Sequence, residues 1–259
     1  MAMPESRLWS TLYGSAALTV FGLLLALASV LMLIVPGLRL RRLLIRAFAR
    51  LGLMVLGLRI AVRGLDHLPT SSCIVVANHA SYLDGIILTA MLPPRFSFVI
   101  KREAAAFPVA GLLLRRIGSE FVDRGSHVSR QSGARRVVRR AEAGHSLVFF
   151  PEGTFVEEPG LRRFHVGAFV AAVRAKQPVV PVVIRGARRS MPSGAIVPRA
   201  GRIDVDVLEP TLPSDSRHAA EELRREARRR ILARLDEPDL EPHAVASVDG
   251  LTSAMSDAG

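Results

Sequence analysis

No charged residue interrupts Leu8–Leu38, and Leu12–Val35 is almost wholly apolar. At about 1.5 Å of rise per residue, a helix over that stretch is long enough to cross a hydrocarbon core of roughly 30 Å. A cleaved signal peptide fits poorly: the run is too long, its N-terminal flank is not clearly basic, and no small-residue cleavage site closes it. Pro36-Gly37 ends the helix, and Leu38–Leu58 predicts a second one of different character. There Arg39, Arg42, Arg46 and Arg50 recur at helical spacing on one face, with Leu40, Leu43, Leu44, Ala47 and Leu51 turned elsewhere. A basic amphipathic helix directly after a spanning-length segment is expected at a lipid headgroup interface. The arginines follow the apolar run, so the positive-inside rule places the rest of the chain on the cytoplasmic side of an inner or plasma membrane.

Downstream the period changes. Short apolar runs at Cys73–Ala77, Phe96–Ile100, Ser146–Phe150, Val179–Ile184 and Ile203–Leu208 predict buried strands, and helical patterns fall between several of them, at Gly85–Met91, Pro108–Ile117, Ser129–Ala143 and Val166–Ala175. This alternation predicts an α/β fold, a mostly parallel central sheet covered by helices, behind an N-terminal membrane-associated helical hairpin. A last helix, Ala219–Leu235, has Ser214 or Ser216 available as N-cap and places Leu223, Ala227 and Ile231 on one stripe. The predicted organisation is membrane-anchoring helices over 1–58, a globular domain over 59–235 and an acidic tail over 236–259, expected to be disordered.

Composition narrows the partners. A chain of 259 residues holds one such domain with attachments. Its formal net charge is +12, although the tail has Asp236, Glu237, Asp239, Glu241, Asp249 and Asp257 and no Lys or Arg. So basic a chain calls for an anionic partner. One Trp, two Tyr and the lack of a nucleic-acid motif argue against nucleic acid, leaving an anionic bilayer or a phosphorylated substrate. Cys73 is the single cysteine, which excludes a disulfide framework and a thiolate metal cluster.

Three elements carry candidate chemistry. His79 follows the apolar run Ile74–Ala77 after Asn78 alone and precedes a helical pattern, where α/β folds place their sites. Asp84, five residues on, can return its carboxylate to the imidazole and leave the other ring nitrogen as a base. Second, Phe150-Pro151-Glu152-Gly153-Thr154 sets a charged Glu against an apolar strand, which is costly unless the charge is paired. Third, Lys101 after one strand and Arg124 in Phe121-Val122-Asp123-Arg124 suit a phosphate, Lys as a point charge and Arg as a fork. Each of these alone is equally a structural His–Asp pair, a strand-to-loop turn or solvated charge.

In order and spacing, Asn78-His79-x-x-x-x-Asp84, Lys101 with Arg124, Phe150–Thr154 and Val180-Pro181-Val182 resemble the four blocks of the PlsC-type glycerolipid acyltransferases. These include 1-acylglycerol-3-phosphate acyltransferases and their lysophospholipid relatives. The likeness covers Leu65 to Pro210. It implies that His79 deprotonates the acceptor hydroxyl, that Asp84 orients His79, and that the oxygen attacks an acyl thioester directly. It assigns Glu152, Gly153 and Thr154 to acceptor binding, Lys101 and Arg124 to the acceptor phosphate, and Pro181 to the acyl or donor site. Acyl-CoA or acyl carrier protein is implied as co-substrate and membrane phospholipid as partner, with no cofactor and no metal. The implied acceptor is a lysophospholipid, 1-acylglycerol 3-phosphate first, with lysophosphatidylethanolamine, another lysolipid or glycerol 3-phosphate as alternatives. Many members carry Arg directly after Glu-Gly-Thr; this chain has Phe155, then Val156, Glu157 and Glu158.

Other classes fit less well. There is no Gly-x-Ser-x-Gly pentapeptide for a serine hydrolase. Cys73 opens an apolar strand, and the remaining histidines lack metal-ligand spacing. A non-catalytic, membrane-tethered binder of anionic lipid is the competing class.

Overall fold

The computed structural model describes residues 5–123, 127–195 and 197–241. Two long helices come first, α1 (Glu5–Ile34) and α2 (Leu38–Val55). An α/β domain follows, comprising β1 (Leu58–Arg63), β2 (Ile74–Ala77), α3 (Leu83–Met91), β3 (Phe96–Lys101), α4 (Pro108–Arg116), β4 (Glu120–Val122) and α5 (His127–Glu142). It continues through β5 (Ser146–Phe149), α6 (Gly167–Ala175), β6 (Val179–Arg185), the short α7 (Ala187–Ser190), β7 (Gly201–Val207) and α8 (Ala219–Leu232).

The seven strands form one sheet in the order β1-β7-β6-β2-β5-β3-β4, parallel throughout except for the antiparallel pair β6–β7. Side-chain alternation divides the core between the two faces of the sheet. Val75, Ala77 and Val148 pack with Leu83, Ile87 and Leu88 of α3 and Leu53 of α2. Ile74, Val76 and Leu147 pack with Val137 of α5, Phe169 of α6 and Leu223 and Ile231 of α8. Central strands buried on both faces read as unbroken apolar runs, which is why they were legible in the sequence. The edge strands β1 and β4 were not: β1 carries Arg59 and Arg63 among its apolar residues, and β4 has only three residues.

Three local features differ from expectation. The second helix stops at Val55, and Gly57, at φ 68°, turns the chain into β1. At α8, Ser216 Oγ accepts the His218 N–H but caps no helical N–H, and Ser214 and Ser216 both donate to Glu222. The chain beyond α8 is ordered through Glu241: Leu161 donates to Pro238 O, Leu240 donates to Leu161 O, and Arg188 pairs with Glu237. Residues 242–259 of the expected tail lie outside the described residues.

The N-terminal helices correct a larger expectation. Three of the four arginines expected at a headgroup layer, Arg42, Arg46 and Arg50, turn to the domain instead, while Arg39 is exposed. Arg42 donates to the carbonyls of Ile117, Pro94 and Arg95 and to Ser97 Oγ. Arg46 donates to Ala90 O and Met91 O, and Arg50 to Ala90 O. The last carbonyls of a helix lack partners and carry partial negative charge, so guanidinium donors are drawn to the end of α3. Arg116 of α4 does the same for Met32 O and Leu33 O at the end of α1. The opposite face of α2 leaves Leu40, Leu43, Leu51 and Met54 exposed, and Ser15–Ile34 of α1, long and apolar enough to cross a membrane, is also mostly uncovered.

Candidate active site

β2 lies at the centre of the sheet, and its last residue, Ala77, is followed by Asn78, which extends the ladder by side chain. Its amide donates to Ile184 O and its carbonyl accepts the Ile184 N–H, fixing where β2 gives way to the loop. His79 is the next residue. Ser81 Oγ accepts the Leu83 N–H and donates to Met191 O, so the loop turns at once into α3. Asp84, in the first turn of α3, is fully buried. Its Oδ2 accepts three N–H groups: His79 Nδ1 at 2.9 Å, the Ala80 main chain at 2.7 Å and the Ser81 main chain at 2.8 Å.

That convergence assigns the imidazole tautomer. An ionised carboxylate only accepts, so the proton sits on Nδ1 and Nε2 carries the lone pair. Among the described residues Nε2 has no hydrogen-bond partner. The ring contacts two aromatic groups: Phe150 stacks on it with centroids 4.2 Å apart, and Phe155 meets it edge-on at 4.7 Å. Phe155 also meets Tyr82 edge-on at 4.7 Å, and Tyr82 is exposed. An oriented, partly exposed imidazole in an apolar setting is suited to taking a proton from a hydroxyl brought to Nε2.

The block after β5 reaches the same place. Gly153 holds φ 78°, a conformation that glycine alone adopts freely, and its N–H closes a turn on Phe150 O. This returns Glu152 beneath His79. Glu152 is only 3% exposed; its Oε1 accepts the His79 main-chain N–H at 2.7 Å and its Oε2 the Arg162 main-chain N–H at 2.9 Å. Burial pushes this carboxyl up to about 7, against the pull of its two main-chain hydrogen bonds. Glu152, expected at the acceptor, thus touches the site through the backbone of His79 and of the loop at Arg162. Thr154 is exposed, and its main-chain carbonyl accepts from the Arg162 guanidinium.

Lys101 ends β3. Phe98 and Val75 both pair with Val148, so three residues on, Lys101 stands level with Asn78, two strands away. At ~4.8 Å per strand that is roughly 10 Å. Arg124 lies outside the described residues. Pro181 is buried within β6 beside Val76. Reasoning from sequence missed the aromatic pair on His79 and the carboxylate grip on its N–H, since neither ring stacking nor main-chain acceptance leaves a periodic trace.

Residues 59–185 match the model of the Acyltransferase family. The chain is 33% identical over 136 residues to the chloroplastic 1-acyl-sn-glycerol-3-phosphate acyltransferase BAT2 of Brassica napus, a match over 52% of this chain and 39% of that protein. It is 37% identical over 131 residues to lysophosphatidylcholine acyltransferase 1 of Rattus norvegicus, covering 49% and 23%. It is 36% identical over 131 residues to lyso-ornithine lipid O-acyltransferase of Pseudomonas aeruginosa, covering 51% and 50%. The chain therefore spans half or less of the length of these curated relatives. The crystal structure of the 1-acyl-sn-glycerophosphate acyltransferase PlsC from Thermotoga maritima aligns with TM-score 0.67 over 88% of this chain and 96% of that one, and at 23% identity the likeness shows a shared fold.

Proposed function

We propose, from the premise that residues 59–185 are an Acyltransferase-family domain, that this protein transfers a fatty acyl group from a thioester to the hydroxyl of a lysophospholipid-type acceptor. The observation that carries the reading is the His79–Asp84 pair at the carboxyl end of the central strand, with Nδ1 fixed by the buried carboxylate and Nε2 left for substrate. In this mechanism Nε2 takes the acceptor hydroxyl proton as the oxygen bonds to the thioester carbonyl carbon. The C–S bond then breaks, and the imidazolium returns its proton to the departing sulfur. Asp84 offsets the charge on the imidazolium in between. Glu152 serves as a positioning residue that sets the height of His79 through its N–H. Lys101 and Arg124 are assigned to the acceptor's phosphate, and acyl-CoA or acyl carrier protein to the donor role.

The exposed apolar faces of α1 and α2 support membrane residence and favour an acceptor drawn from the bilayer over soluble glycerol 3-phosphate; the cytoplasmic side is assigned to the domain from the arginines that follow the apolar run. The test is thiol release from acyl-CoA, and from acylated carrier protein, against a panel of lysolipids. His79→Ala should abolish lysolipid-dependent release while the protein still folds. Transfer at the wild-type rate by that variant would remove His79 as the base.

A further inference from the structure

The loop after Gly153 decides what kind of headgroup the site can accept. A phosphomonoester carries nearly two negative charges and calls for charge-assisted donors, above all guanidinium forks. Four arginines of this loop and its surroundings have protein partners. Arg162 donates to Thr154 O, and Arg163 pairs with Glu241 at 3.7 Å. Arg188 binds Glu237 and the carbonyls of Val156 and Glu157, and Arg102 lies 3.5 Å from Asp123. The residue directly after Thr154, adjoining the base, is Phe155. Its ring touches both His79 and the exposed Tyr82, so the Tyr82–Phe155 pair stands directly beside the base. Two and three residues further on, Glu157 and Glu158 are exposed, and neither carboxylate is paired among the described residues.

Aromatic faces attract cations and offer nothing to a dianion. We propose that the acceptor headgroup carries an ammonium, held against the Tyr82–Phe155 ring pair with the carboxylates of Glu157 and Glu158 on its outer side. This rests on the acyl-transfer reading of His79 and names the acceptor class for that same site. Tyr82 is exposed, and a cation within about 6 Å of a ring centroid gains roughly 0.5–2 kcal/mol depending on its desolvation, a factor of about 2 to 30 in selectivity. The ammonium can come from a zwitterionic lysophospholipid or from a phosphate-free aminoacyl lysolipid; the ring pair does not distinguish them, whereas Lys101 serves only the first.

The experiment compares kcat/KM of the full chain, with one acyl-CoA donor, on five acceptors. Lysophosphatidylethanolamine and lysophosphatidylcholine supply a phosphate-linked ammonium, and a lyso-ornithine lipid supplies one without phosphate. Lysophosphatidylglycerol supplies the phosphodiester without the cation, and lysophosphatidic acid the phosphomonoester. At least one ammonium acceptor should exceed both lysophosphatidylglycerol and lysophosphatidic acid by about tenfold. Tyr82→Ala and Phe155→Arg should each lower the ratio of that acceptor to lysophosphatidic acid by about fivefold or more, and Glu157→Gln with Glu158→Gln by a smaller factor. Ratios are read rather than rates because Phe155 also packs on the base. Preference for lysophosphatidic acid or lysophosphatidylglycerol in the wild type, or ratios unmoved by Tyr82→Ala and Phe155→Arg, would overturn the headgroup assignment while leaving acyl transfer standing. Transfer to none of the five would overturn the acyl-transfer reading and this inference with it.

Discussion

Asp84→Asn isolates what the buried carboxylate does for His79. The side chain keeps its size, and its amide oxygen can take the place of Oδ2, accepting His79 Nδ1 and the N–H groups of Ala80 and Ser81 as before. Two things change. The amide NH2 then occupies the place of Oδ1, which is buried and has no partner among the described residues. An unsatisfied buried donor costs about 1–3 kcal/mol, a fall in Tm of about 2–10 °C for a domain of this size. More is lost in the reaction, because the negative charge that offsets the imidazolium is gone. For unit charges ~4 Å apart at an effective dielectric of ~20 that interaction is about 4 kcal/mol, or close to a thousandfold in rate. With the hydrogen bonds retained, the expected loss in kcat is about 100- to 1,000-fold, with KM for the lysolipid nearly unchanged. The assay is thiol release from acyl-CoA at saturating lysolipid, alongside a thermal melt. A folded Asp84→Asn protein with kcat within threefold of wild type would refute the role of the pair, and a large rise in KM at constant kcat would place Asp84 in binding instead.

Glu152→Gln should slow turnover by about tenfold or more, because one of the two N–H groups it accepts, His79 or Arg162, must face an amide NH2. The same variant tests the raised carboxyl. Between its ordinary value near 4 and about 7 the native Glu152 holds a proton that the unfolded chain has lost, so its contribution makes wild-type stability fall as pH rises through that window and level off above it. The Glu152→Gln melt should lack that component, and parallel Tm–pH curves for the two proteins would count against it. Leu43→Glu with Leu51→Glu on the uncovered face of α2 should make the protein easier to extract from anionic vesicles by alkaline carbonate, with α1 still inserted, and leave Tm nearly unchanged, while a drop in Tm comparable to that of a core substitution would mean this face is packed. Ending the chain after Leu235 removes the acceptors of Gly160 and Leu161 N–H and the Leu240 side chain packed on Gly160; protease cleavage within residues 156–163 should quicken and kcat/KM fall, and unchanged cleavage would show that residues 236–241 do not hold the loop.

The α2 helix marks the limit of what periodicity can tell. Its arginines were legible as one face from their spacing alone, and so was the apolar face opposite. Which face turns inward was not, because that depends on where α3 and the Pro94–Ser97 turn leave unsatisfied carbonyls, and only the packed domain sets those positions. The central strands were legible because burial on both faces makes them continuous apolar runs; the edge strands carry charge and did not stand out.

The same division runs through the candidate site. The sequence by itself determined the α/β class, the apolar N-terminus and the position of His79 after an apolar strand with Asp84 in reach, because these depend on local pattern and short spacing. Tertiary structure decided the rest. It sent Glu152 to the backbone of His79 across 73 residues of sequence, and it laid Phe150 and Phe155 against the imidazole. Such contacts arise where the carboxyl ends of β2 and β5 are brought side by side by strand pairing. The order in which strands pair is a global choice of the fold, so no local stretch of the chain records it.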